Sequence, residues 1–193
     1  RKVNLLVDIQ AKLAEGKGAG YERWAKVFNL KQMAAALAYL QDNGLTEYGE
    51  LEKKAAETTD CFHVLSDRIK QTENAMNTNR ELKTATVQYA RTRPVFEKYK
   101  AAKYSRKFLA EHEADIELYR AAQADLKRLL DGAKLPKMDV LKEEGRKLAE
   151  QKRKLYAEYQ RVRRDMQEVN TAKANIDYLL GYAGQDKKKE QER

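Results

Sequence analysis

Between residues 89 and 108 the chain interleaves cations with aromatic rings. Arg91, Arg93, Lys98, Lys100, Lys103, Arg106 and Lys107 stand against the single acid Glu97, and Tyr89, Phe96, Tyr99, Tyr104 and Phe108 fall among them. Lysine and arginine neutralise phosphates and release condensed counterions, so binding of this kind weakens steeply with salt. Aromatic rings stack on unpaired bases whatever their identity. The seven cations are therefore candidate nucleic-acid contacts, with Tyr99 and Tyr104 as candidate stacking residues. The same pattern also fits a plainer role, an amphipathic elbow whose rings fill the end of a helical arm while its lysines stay in water. A second, weaker cationic set runs along the last third of the chain: Arg146, Lys147, Arg153, Lys154, Arg161, Arg163 and Arg164.

Other chemistry finds little support. The two histidines, His63 and His112, are far apart, and a tetrahedral metal site needs four ligands at paired spacings. His63 therefore reads as an ordinary packed histidine. The lone Cys61 cannot form an internal disulfide and, beside Phe62 at seam spacing, reads as a buried, inert thiol. Glycines 16, 18 and 20 lack the lysine and hydroxyl residue of a phosphate loop and the preceding strand of a dinucleotide loop, so they read as a hinge. A helix-turn-helix near residues 46–55 would present Glu47, Glu50 and Glu52 to phosphate, which repels them. No catalytic grouping, metal site or cofactor site emerges.

The elements that position these residues follow from periodicity. Leu141, Leu148, Leu155, Val162, Val169 and Ile176 recur every seven residues, and Tyr159, Met166 and Leu180 complete an a/d seam. A long helix results, with Lys152 and Lys173 intruding on its seam. Leu51, Ala55, Thr58, Phe62, Leu65, Ile69, Thr72 and Met76 alternate by four and three and predict a second long helix. It opens at Thr46 or Glu47 and runs to about Thr92, because Pro94 is the first strong breaker. A short basic-aromatic helix follows to about Tyr104, with Ser105 as a candidate cap. A further helix carries Leu109, His112, Ile116, Tyr119, Leu126 and Leu130 and stops at Asp131 and Gly132. Upstream, a helix over residues 3–15, another from about Tyr21, and an alanine-rich stretch ending at Asn43 and Gly44 make a small helical head. The reading is all-α: a small helical head over residues 1–45, an elongated antiparallel coiled-coil-like helical arm over 46–184 with its elbow near 91–108, and a disordered polar tail over 185–193.

The net charge of +9 is regional. Residues 91–107 and 134–164 each carry a net +6, whereas residues 42–81 carry −4 and residues 111–131 carry −3. A basic surface attracts nucleic acid, an acidic protein face or an anionic membrane, and charge alone does not choose. No run of apolar residues is long enough to span a membrane, and no signal peptide is present. One cysteine and no leader fit a cytoplasmic protein. A first residue that is Arg1 rather than methionine, followed at once by an apolar pattern, is what a piece of a longer protein would show.

Four segments carry a resemblance: GKGAGYERWAKVFNLKQM at 16–33, TRPVFEKYK at 92–100, YSRKFLAEH at 104–112 and GAKLPKM at 132–138. They are similar to the C-terminal region of relaxases, the mobilisation nucleases of conjugative elements of Firmicutes, over nearly the whole chain. In that family a tyrosine nicks one DNA strand at the transfer origin and a histidine cluster holds a divalent metal. This chain has no such cluster, and none of its tyrosines carries over as the nucleophile. The resemblance implies a non-catalytic accessory region of a bacterial conjugation protein, with DNA, single- or double-stranded, and transfer proteins as partners. The competing reading is a coiled-coil protein-interaction arm that docks on the transfer machinery or forms a homo-oligomer without touching DNA.

Overall fold

In the computed structural model the described residues are 30–180, together with Leu5, Ile9 and Ala11. Among them there are five helices and no strand: α1 (Leu30–Asp42), α2 (Tyr48–Ala101), α3 (Arg106–Glu111), α4 (Glu113–Leu130) and α5 (Met138–Leu180). The protein is all-α, as its heptads require. The glycine hinge at 16–20, the helix begun at Tyr21 and the tail at 185–193 lie outside the described residues, as does most of the head.

Local signals account for most helix ends. Gly44 takes a left-handed φ of 62° just past α1. The carboxylate of Glu50 then accepts from the backbone N–H groups of Thr46 and Glu47, at 2.8 and 3.1 Å, satisfying amides that the start of α2 leaves without helical partners. Glu113 and Asp115 open α4, and Lys127 and Arg128 close it, each sign matching the helix dipole. Asp131 and Gly132 end it in left-handed backbone.

Pro94 does not act as expected. The sequence predicts a new helix there, yet α2 continues through it to Ala101, and the segment expected as a separate short helix is the last turns of α2 followed by a turn. The buried face explains the continuation. Thr92 and Tyr99 are buried and Phe96 half-buried on one stripe, while Pro94 is exposed on another. The interrupted hydrogen bond therefore faces water, and the packed face holds the helix together.

The chain forms two compact units, one of residues 1–66 with 157–193 and the other of residues 67–156. In the first, Leu5, Ile9, Met33, Ala36, Leu40, Leu51, Ala55, Val169 and Ile176 share one core. The Leu5 N–H donates to the Thr46 carbonyl at 2.7 Å. Tyr48 donates to Asp177 and Phe62 packs on Tyr159 with ring centroids 5.0 Å apart, so α2 and α5 run antiparallel within this unit. Lys173, which interrupts the seam, is ion-paired to Asp177 at 2.6 Å. Burial works against its charge, but hydrogen bonds to Asp177 and Tyr48 outweigh burial and hold its pKa above the usual lysine range.

In the second unit, Leu82 and Ala85 of α2, Leu126 of α4 and Leu141 of α5 form the core. Here the seam of α2 breaks step. Met76, Asn79, Leu82 and Ala85 follow one another by three, and the four-three alternation resumes at Tyr89, Thr92, Phe96 and Tyr99. Inserted steps of three, here two in succession, overwind a coiled coil locally, and they fall where α4 contributes to the core. Asn79 is buried: its amide donates to the Leu141 carbonyl at 3.0 Å and to Glu144 at 3.3 Å. Gly145 lies against it, and a Cβ there would sit 2.9 Å from the Asn79 Oδ1. The second seam lysine, Lys152, is paired with Glu73 at 2.7 Å.

Candidate nucleic-acid interface

The candidate residues lie on the last turns of α2, the turn at residues 102–105 and the start of α3, all in the second unit. The rings of this region pack on one another, and Tyr104 is the one that also faces solvent. Tyr119 of α4 stacks on Phe96 at 4.1 Å and on Tyr89 at 5.1 Å between centroids. Tyr99 lies 6.1 Å from Phe108 at a shallow angle and meets Tyr104 edge-on at 5.2 Å. Phe108 leads on to His112 at 4.4 Å. The Tyr119 phenol is pushed up to about 12, first by its hydrogen bond with Tyr89 and then by burial.

Burial revises one of the two stacking candidates. Tyr99 is only 4 % exposed, so its ring cannot receive a base; it is the floor on which the turn rests. Tyr104 is 54 % exposed and remains accessible. Lys103 and Tyr104 both adopt left-handed backbone, φ 51° and 60°, a conformation that disfavours residues with a Cβ by roughly 1–2 kcal/mol each. The turn is held by the N–H groups of Lys103, Tyr104 and Ser105, which donate to the carbonyls of Lys100, Tyr99 and Ala102. Ser105 precedes α3 but its side chain makes no capping bond.

All seven predicted cations, Arg91, Arg93, Lys98, Lys100, Lys103, Arg106 and Lys107, are exposed. None forms an ion pair with another described residue. They are not one patch, however. At 100° per residue, Arg91 and Lys98 share one row on α2, and Arg93 and Lys100 share another about 200° around the axis. The two rows flank the buried stripe of Thr92 and Tyr99. Glu97 sits beside the second row and dilutes it. The densest group is Lys98, Lys100, Lys103, Arg106 and Lys107, at the helix end and the turn. Lys98 and Lys100 also oppose the negative end of the α2 dipole, a purely structural benefit.

The second cationic set is partly neutralised, since Arg146 pairs with Glu143 at 3.0 Å and Lys154 with Glu150 at 2.9 Å. Cys61, expected to be buried, is exposed on α2, because Phe62 rather than its neighbour points into the seam. His63 is likewise exposed, edge-on to Phe62 at 5.7 Å, and not packed in a core. Among the described residues no group of three potential metal ligands comes together, and no helix is long and apolar enough to cross a membrane. No family model, curated protein or solved structure matches the chain.

Proposed function

We propose that this chain is the non-catalytic C-terminal region of a relaxase and that it holds DNA at or near the transfer origin by contacts to phosphates. The relaxase identity rests on the sequence resemblance. The DNA-holding role is carried by one observation: seven cations along the last three turns of α2 and the turn and helix start that follow, all exposed and none ion-paired to a described residue. Unpaired cations have no internal bond to give up when a phosphate arrives. The aromatic residues serve mainly to fix the backbone that carries these charges, which favours contacts that do not read sequence.

The test is a salt titration of binding to transfer-origin duplex, the same sequence as a single strand, and a scrambled duplex. Contacts to four to six phosphates give a log–log slope of roughly −3 to −5. Replacing Lys98, Lys100, Lys103, Arg106 and Lys107 by glutamine flattens the slope on all three ligands. Tyr104→Ala weakens only single-strand binding, by about five- to a hundredfold. Slopes near zero, or slopes that the glutamine variants leave unchanged, would remove the DNA-holding role.

A further inference from the structure

The first unit carries a groove of about 490 Å³ whose charged lining residues, among those described, are all acidic, although the chain as a whole is basic. It runs between α1 and α5, along two turns of each, and Ala35, Ala38 and Ala172 leave its walls low. Asp42 and Glu168 stand on its rim. Burial, and then the nearby charges of Glu168 and Asp165, push the Tyr39 phenol in the groove above its usual range. The side chain of Asn175 also lines the groove. It is only 9 % exposed and makes no hydrogen bond to any described residue. A buried carboxamide with its donors and acceptor unused is unfavourable by about 1–3 kcal/mol, so this one points to a polar atom supplied from outside.

We infer that this groove is a docking site for a cationic amphipathic helix of a partner protein. Alanine walls let a third helix approach two others closely, and the groove's length matches two turns, about 11 Å at 1.5 Å per residue. Lysine or arginine at the helix flanks would meet Asp42 and Glu168, while a polar side chain on its inner face would bond to Asn175. The site is independent of the DNA contacts, which lie on the other unit. The basic segment of a second copy is a poor occupant, since its apolar residues Phe96 and Tyr99 are already packed on Tyr119, Tyr104 and Phe108.

The probe is a fluorescein-labelled helical peptide of about 20 residues with an alanine and leucine face, one inner glutamine and lysine and arginine flanks, followed by anisotropy with the full chain. The expected result is saturable one-to-one binding, absent when the flanks are glutamate. Ala38→Arg, at an exposed position that tolerates a good helix former, fills the groove and weakens binding at least about tenfold. Glu168→Lys does the same, and Glu117→Lys, an acid of the other unit, leaves it unchanged. Circular-dichroism melting checks that each variant is folded. No binding, or binding that Ala38→Arg leaves intact, overturns the proposal. So does a dimer of the chain, seen by sedimentation, that Ala38→Arg dissolves.

Discussion

Tyr119 and Tyr48 make the clearest statements at the scale of single residues. Tyr119 is held near 12 by its hydrogen bond with Tyr89 and by burial, and Tyr48 near 12 by burial and its bond to Asp177. Both phenols ordinarily ionise near 10.0. A folded pKa above the unfolded one means that the protonated group favours the fold, so this stability is complete below pH 10.0 and lost as pH rises through about 12. Urea unfolding followed across that interval should show stability falling steadily. In a near-ultraviolet titration, Tyr89→Phe should bring one tyrosine back toward the ordinary range. A titration in which every tyrosine ionises together near its ordinary value would contradict this. The exposure of the cations was legible in the spacing of residue types: all seven face solvent. What periodicity could not tell was which ring faces inward. Tyr99 and Tyr104 look alike in sequence, and only the left-handed turn after Ala101 sends one into the core and the other out. The same limit applies to Cys61, where a one-residue difference from Phe62 turns the side chain by 100°.

Pro94 bears on how the elements are held. Within a helix, proline removes one hydrogen bond and crowds the carbonyl four residues back, which can cost about 3 kcal/mol. Because Pro94 and Ala90 are both exposed, water relieves part of that cost. Pro94→Ala should therefore stabilise the protein by roughly 1–3 kcal/mol, visible as a higher urea midpoint at unchanged slope; a lower midpoint would mean that the proline shapes the packing. Asn79 and Gly145 define a second element-scale test. Glycine to alanine in a helix interior ordinarily gains about 1 kcal/mol, but here the new Cβ meets the Asn79 Oδ1. Gly145→Ala should thus destabilise the native chain by about 1 kcal/mol and stabilise an Asn79→Ala background by a similar amount. The same sign in both backgrounds would show that the pair does not set the register of the two helices. The heptads made both long helices legible from the residue pattern alone, since Leu141, Leu155, Val162, Val169 and Ile176 of α5 and Leu51, Ala55, Leu65, Ile69 and Thr72 of α2 are all buried. The break of step between Asn79 and Ala85 was not legible, because a seam records that a partner exists and not how many. Pro94 is a related case: local propensity predicts a break, and the buried stripe of Thr92 and Tyr99 overrides it.

At the scale of the whole molecule, the segregated charge of a chain at +9 sets two opposite responses to salt. Seven cations without ion pairs to the described residues repel one another, so raising ionic strength from low to physiological should stabilise the free protein by roughly a few tenths of a kcal/mol. The same change should weaken the proposed binding to DNA by orders of magnitude. Melting temperature and binding constant measured in one salt series check both, and a melting temperature that falls with salt would show that favourable pairs dominate the isolated fold. The connection between α4 and α5 has a practical consequence for anyone who wishes to alter this chain. Residues 131–134 are exposed, and the helices on either side are fixed by their own buried faces. Cutting the chain after Lys134, or splicing a tag or a reporter there, leaves both faces aligned. One residue added a few positions later, inside α5, would turn every following seam position by 100° and present Leu155 and Val162 to water. The sequence therefore has a place where its length is free and, directly after it, a stretch where its length is fixed.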